Sequence, residues 1–248
     1  VKELARKMAK PTQAGMRSLK RLGRYLRGRP RLVVVYKLQG AAAGERDPDF
    51  LYIPVDSNWA DCRETRMSTS GGALVHGRHV LATWSVTQSI QALSSGDAEF
   101  YAVLRGAVEA LGLAATAEEM GFPFRKAPRV GSDSSAARGT AGRHGVGKLK
   151  HVDLKYLWIQ AVLKQGRLVL VQQDGETNFA DLMTKHLAAP KMEQLLVAAG
   201  FEFRDGRAAG ALELAKGAAR QRVAAILGEF FWSLDCEKPG FARRVARG

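Results

Sequence analysis

Four acidic residues, set far apart along the chain, each stand where one secondary-structure element gives way to the next. Asp56 closes the apolar run Leu51-Tyr52-Ile53-Pro54-Val55, and Glu99 follows Ser94-Ser95-Gly96-Asp97-Ala98. Asp133 follows Val130-Gly131-Ser132, and Asp181 follows Asn178-Phe179-Ala180. Taken singly, each reads as a turn residue or a helix cap. Taken together, at the ends of a central strand, a facing helix, a fourth strand and a last helix, they read as one metal-binding carboxylate cluster. A fold for this chain must therefore bring those four ends to one place.

The periodicity between these points supplies the elements. The run 51–55 reads as a buried strand, though so short an apolar run is ambiguous by itself. Gly71 to Val75 and His79 to Ser85 bracket Gly77-Arg78 as an antiparallel hairpin. A long helix starts at Ser94 or Ser95, with serine as N-cap and Asp97 at the positive end of the dipole. Phe100, Val103, Leu104, Ala107, Val108 and Leu111 form its apolar stripe down to about Met120, and Gly121 and Pro123 end it. Glu99 lies beside that stripe and can face the sheet. A strand over Pro128–Ser132 and a short helix over Ser134–Arg138 follow, then a Gly-rich basic loop over Gly139–Lys150 that reads as mobile. Helix recurs from about Val152 to Gln165 with Leu154, Leu157, Trp158, Ala161 and Val162 inward. Leu168–Gln172 reads as a strand. A final helix capped by Thr177 carries Phe179, Leu182 and Met183 and extends past Pro190 through Val197. Trp59 reads as core. The order is three strands, helix, strand, short helix, helix, strand, helix, an α/β arrangement with a mixed sheet and no internal repeat.

The charge points to a partner. The 248 residues carry 38 Lys+Arg against 24 Asp+Glu, a net +14, which favours a polyanion and nucleic acid first. A membrane surface competes, but the sequence shows no lipidation signal and no segment that reads as spanning. Residues 1–31 hold eleven of the cations, Lys2, Arg6, Lys7, Lys10, Arg17, Lys20, Arg21, Arg24, Arg27, Arg29 and Arg31, against Glu3 alone. Met16, Leu19, Leu22 and Leu26 make Gln13–Leu26 an amphipathic helix whose cationic face is either solvated or tracks phosphates. A strand over Leu32–Leu38 and a linker over Gly40–Asp49 lead into the domain. From Arg204 the chain turns Ala- and Arg-rich, with Val223, Ile226, Leu227, Phe230 and Leu234 at helical spacing. Cys62 and Cys236 have no metal-ligand spacing and read as two reduced thiols of a cytoplasmic or nuclear protein, with a disulfide between them as the other reading. A start at Val1 without an apolar signal core reads as an excerpt from a longer polyprotein or an incomplete gene model.

Hard divalent cations take oxygen ligands, and carboxylates shared between two ions hold them ~4 Å apart. Such a pair activates water and stabilises the leaving oxygen of a phosphodiester. No serine triad, phosphate-binding glycine loop or zinc spacing competes with that chemistry. At this point the order of motifs becomes specific. Val55-Asp56-Ser57-Asn58-Trp59-Ala60-Asp61, Arg66-Met67-Ser68-Thr69-Ser70-Gly71-Gly72 and Leu93-Ser94-Ser95-Gly96-Asp97-Ala98-Glu99-Phe100 come first. Ser132-Asp133-Ser134-Ser135-Ala136, Lys150-His151-Val152-Asp153 and Ala180-Asp181-Leu182-Met183-Thr184-Lys185 follow. Over roughly residues 50–200 this succession resembles the ribonuclease H domain of copia-type LTR-retrotransposon Pol polyproteins. Upstream, Pro11-Thr12 and Leu19-Lys20-Arg21-Leu22-Gly23-Arg24-Tyr25-Leu26-Arg27-Gly28 resemble the end of reverse transcriptase in those polyproteins, whose polymerase core is absent here.

The resemblance implies a ribonuclease H-like mixed five-stranded sheet flanked by helices, with helical N- and C-terminal extensions. It divides the chain into a basic connection segment (1–39), a ribonuclease H-like domain (50–203) and a helical appendix (204–248). It implies that Asp56, Glu99, Asp133 and Asp181 are catalytic and hold two Mg²⁺ ions, with Mn²⁺ able to substitute. The implied substrate is the RNA strand of an RNA–DNA hybrid, recognised by 2′-OH and backbone geometry; the implied partner is the reverse transcriptase portion of the same polyprotein. Arg63, Arg66, Arg143, Lys148 and Lys150 are candidates for phosphate contacts. His144 and His151 are candidates for an accessory role in product release, set against a purely structural one. The chain departs from the family at Asn58 (usually Asp), Asp97 (usually Glu) and Leu157 (commonly His), which puts accessory contacts in doubt. Two other readings stand beside this one, a catalytically inactive nucleic-acid-binding relic of the same domain and, more weakly, an integrase-like hydrolase.

Overall fold

The computed structural model describes residues 2–29, 31–36, 49–62, 64–145 and 154–206. Its helices and strands run in the order α1 (Lys2–Arg6), α2 (Gln13–Gly28), β1 (Leu32–Val34), β2 (Leu51–Asn58), β3 (Thr69–His76) and β4 (His79–Thr87). Then come α3 (Ser95–Glu119), β5 (Arg129–Ser132), α4 (Ser135–Gly142), a 3-10 turn (Leu154–Leu157) and α5 (Trp158–Lys164). β6 (Val169–Gln172), a second 3-10 turn (Gly175–Thr177), α6 (Asp181–Thr184), α7 (Ala189–Ala198) and β7 (Phe201–Phe203) complete it.

The main sheet has the order β4-β3-β2-β5-β6. β2 and β3, and β3 and β4, pair antiparallel, whereas β2 and β5, and β5 and β6, pair parallel. This is the mixed five-stranded sheet flanked by helices that the sequence led us to expect. β2 sits at its centre with both faces covered, which is why Leu51 to Val55 reads as a continuous apolar run instead of an alternating one. The hairpin between β3 and β4 turns on Gly77, whose φ of +58° suits glycine at the first central position of a two-residue loop.

One face of the sheet receives α3. Ser94 Oγ accepts from the Asp97 N–H at 3.1 Å, and the Asp97 carboxylate accepts from the Leu93 N–H at 3.2 Å, so the helix start is closed from both sides. Phe100, Val103, Ala107 and Ala110 are buried with Ile53, Val55 and Val130. By length and composition α3 could cross a membrane; its packing on the sheet accounts for the apolar character. The opposite face is covered by Phe179, Leu195 and Ala199 over Ala73, Val75 and Val80.

Several expectations are corrected. α4 runs on to Gly142, because Thr140 and Ala141 are buried and hold the chain helical where glycines suggested a loop. In α5 it is Ile159 and Val162 that are buried, while Ala161 faces outward, since a 3-10 turn precedes the helix and resets its phase. The expected last helix is broken into the turn at Gly175–Thr177, α6 and α7; Asp174, not Thr177, caps the first of these. Trp59 is 52% exposed, its indole N–H donating to the Ala92 carbonyl at 3.1 Å. β1 belongs to a two-stranded antiparallel ribbon with β7, so the N-terminal segment is joined to the strand after the last helix. The linker 40–48 and the appendix from residue 207 lie outside the described residues.

Gly106 of α3 meets β2 so closely that an added Cβ would lie 2.6 Å from Val55 Cγ1, whereas a Cβ at Gly112 would meet nothing within 4 Å. Urea unfolding is expected to show Gly106→Val destabilised by about 2 kcal/mol or more through overpacking. Gly112→Ala is expected to gain about 0.5–1 kcal/mol from reduced chain entropy.

Candidate active site

Parallel pairing of β2 with β5, with Pro54 opposite Gly131, brings the C-terminal ends of both strands to one edge of the sheet. Asp56 lies near the end of β2, Asp133 directly follows β5, and Glu99 projects from the first turns of α3. Carboxylate oxygens of these three residues all lie within 4.8 Å of one another. The acids expected to converge from a strand, a helix and a second strand therefore do so.

Their surroundings are unequal. Asp56 is 1% exposed, and burial pushes its carboxyl up to about 6, although the Thr184 hydroxyl and the Lys185 charge pull it back down. Glu99 Oε1 accepts from the Ser57 N–H at 3.1 Å and the Ser57 hydroxyl at 2.9 Å. Its Oε2 is buried with no hydrogen-bond partner. Burial, with the negative charge of Asp56 next, raises the Glu99 carboxyl to about 8. Asp133 is exposed, on a turn braced by Ser134 N–H to Ser132 Oγ at 3.2 Å and by Arg138 to the Ser132 carbonyl at 2.6 Å.

Asp181 comes to the same region but not into the trio. It is the first residue of α6 and 7% exposed. Lys185 links the two groups, its Nζ lying 2.9 Å from Asp181 Oδ1 and 3.0 Å from Asp56 Oδ1. Burial lowers the lysine pKa, but the Asp181 hydrogen bond and the Asp56 charge outweigh it and hold the ammonium above the usual lysine range. The Thr184 hydroxyl donates to Asp56 Oδ2. Three polar anchors fix α6 against the sheet. Asn58 Nδ2 donates to the Thr184 carbonyl at 2.9 Å, Ser85 Oγ to the Met183 carbonyl at 2.6 Å and Asn178 Nδ2 to the Val55 carbonyl at 3.1 Å. Ser57, Thr184 and Lys185 were missed as site residues. The signals available were the position of Ser57 beside Asp56 and the i,i+4 spacing of Asp181 and Lys185.

Among the basic candidates, Arg66 is exposed with a φ of +55°, Arg143 is half-buried and His144 is exposed. Gln160 anchors this stretch, donating to the Thr140 and Gly145 carbonyls at 3.0 Å each and accepting from the Gly145 N–H at 2.8 Å. Residues 139–145 are therefore helix and a held turn where a mobile loop was expected. Arg63, Lys148, Lys150 and His151 lie outside the described residues.

No family model matches the chain. Over 191 residues, 76% of the chain, it is 26% identical to the Retrovirus-related Pol polyprotein from transposon RE1 of Arabidopsis thaliana. The same identity and coverage hold for the polyprotein from transposon RE2 of that plant. The chain spans 12% of the length of each, a distant and partial match. Among solved structures, the N-terminal RNase H domain of rv2228c from Mycobacterium tuberculosis, fused to maltose-binding protein, superposes with a TM-score of 0.39 at 22% identity, covering 60% of this chain and 94% of that one. LC11-RNase H1 in complex with an RNA/DNA hybrid gives 0.37 at 19% identity, covering 52% and 88%.

The raised carboxyls set the pH dependence of the metal-free protein. Stability from protonated Asp56 and Glu99 is complete below their ordinary values of 3.8 and 4.5, and is lost as pH rises through about 6 and about 8. The melting temperature without divalent ions is expected to fall between about pH 5 and about pH 9. Glu99→Gln should flatten the upper part of that fall, which thermal denaturation in chelator across the pH series would record.

Proposed function

We propose that this chain is a metal-dependent endonuclease that hydrolyses the RNA strand of RNA–DNA hybrids. It would be the ribonuclease H part of a copia-type retrotransposon Pol polyprotein and act in the cytoplasm or nucleus. Residues 50–203 are then the nuclease domain, 1–39 the end of the reverse transcriptase with which it works, and 204–248 an appendix. The observation that carries this reading is the convergence of Asp56, Glu99 and Asp133 oxygens within 4.8 Å at the shared edge of two parallel strands.

The residues fit a hard divalent cation. Every donor in the trio is a carboxylate oxygen, and Glu99 Oε2 is buried without any protein partner, a polar atom that a cation would satisfy. Asp56, Glu99 and Asp133 would hold a first ion, and Asp181 with Asp56 a second. Magnesium, or manganese in its place, supplies Lewis-acid activation of water and neutralises charge developing at the phosphodiester. Ser57 orients the Glu99 carboxylate through Oε1, and the anchors at Asn58, Ser85 and Asn178 fix Asp181 on its short helix. With its carboxyl raised to about 8, Glu99 would have to give up a proton in order to hold a cation near neutral pH.

Binding the hybrid falls to the positive surface. The net +14 and the cationic face of α2, with Arg17, Lys20, Arg21, Arg24 and Arg27 on one arc and no acid in the helix, support backbone contacts. Arg63, Arg66, Arg143, Lys148 and Lys150 would add further phosphate contacts, with His144 and His151 in product release.

Two measurements test this. Asp133→Asn is expected to reduce Mg²⁺-dependent cleavage of a labelled hybrid to background while its circular dichroism and melting remain those of the wild type; full activity in that variant would refute the assignment. Neutralising Arg21 and Arg24 together is expected to lower the slope of log K against log salt for hybrid binding by about 2, about 1 per lost phosphate contact.

A further inference from the structure

The candidate site has two unequal halves, and Lys185 makes the difference. On one side, Glu99 Oε2 has no hydrogen-bond partner and Asp133 is exposed, so donors stand open. On the other, both oxygens of Asp56 are engaged, Oδ2 by the Thr184 hydroxyl and Oδ1 by the Lys185 ammonium at 3.0 Å. The same ammonium lies 2.9 Å from Asp181 Oδ1. A protein cation thus already sits between two carboxylates that would otherwise repel each other.

We propose that Lys185 is a built-in counter-cation, whose ammonium holds the place between Asp56 and Asp181 and must withdraw before that pair takes up a divalent ion. The inference rests on reading the carboxylates as a cation site. Three features of the geometry support it. The Lys185 side chain is 40% exposed and ends a flexible four-carbon stem, so the ammonium has a way out to water. The backbone of α6 does not have to follow, because Asn58, Ser85 and Asn178 tie it and its flanks to the sheet. Withdrawal leaves Asp181 and Asp56 in place, two buried carboxylates with a charge that a divalent ion matches better than a single ammonium does. The free protein should therefore bind one ion readily among Asp56, Glu99 and Asp133, and a second between Asp56 and Asp181 only in exchange for Lys185.

The test is a Mn²⁺ titration of the full chain without nucleic acid, followed by electron paramagnetic resonance of the free ion. Wild type is expected to show one tighter and one weaker site. Lys185→Met, which keeps the stem and removes the charge, should tighten the weaker site by about tenfold or more, a fraction of the attraction between unit charges at contact. Lys185→Arg should keep the wild-type pattern. Equal affinities in wild type and Lys185→Met, or a weaker second site in the variant, would overturn the proposal and leave the cation site standing. No Mn²⁺ binding in any form would overturn both readings. A second measurement needs no variant. Amine labelling of wild type, read by mass spectrometry, should show Lys185 protected without divalent ion and increasingly modified as the weaker site fills; reactivity constant across the titration contradicts the proposal.

Discussion

Holding Asp56 and Glu99 out of water, within reach of Asp133, is the constraint on which the rest of the structure depends. Burial raises both carboxyls, to about 6 and about 8, and the negative charge of Asp181 adds to it at Asp56 as that of Asp56 does at Glu99. The fold offsets it locally. Ser57 gives Glu99 Oε1 two donors, Thr184 and Lys185 cover Asp56, and the turn after β5 keeps Asp133 at the solvent edge. The wider architecture serves the same placement. A central β2 buried on both faces, a parallel β5 beside it and a capped α3 start fix three ends against one another.

Much of this could be read from the sequence because it rests on local patterns. The apolar run before Asp56, the serine cap before Asp97 and Glu99, and the Gly77-Arg78 hairpin are each set by residues near in sequence, and each is found in the structure. What was not legible depends on tertiary contacts. The phase of α5 follows from a preceding 3-10 turn, and α4 persists through glycines because Thr140 and Ala141 are buried. The break between Thr177 and Asp181 reflects Asn178, whose side chain bonds the Val55 carbonyl instead of continuing a helix. Trp59 looked like core by composition, but its indole is satisfied at the surface by the Ala92 carbonyl. At the site, the four acids were picked out, while Ser57, Thr184 and Lys185 were passed over. Ordinary polar residues beside a carboxylate carry no signature until the backbone shows where they point.

The N-terminal segment shows the same limit. Its cationic helix was visible from charge and periodicity, but its attachment was not. β1 pairs with β7, Arg29 forms an ion pair with Glu193 and lies 4.7 Å from the Phe203 ring centroid, and Tyr36 Oη donates to the Val80 carbonyl at 2.9 Å. Residues from the two ends of the described chain thereby form one ribbon. The C-terminal end of α2 is thereby tied to this ribbon through Arg29.

The central claim is that the carboxylate trio works as a cation-dependent phosphodiesterase site. Its most direct test is the wild-type chain incubated with a hybrid labelled on the RNA strand, beside DNA duplex and RNA duplex controls, with and without Mg²⁺. The account predicts cleavage of the RNA strand in the hybrid alone, and only with the divalent ion. Hybrid binding that yields no products at any Mg²⁺ or Mn²⁺ concentration would contradict it.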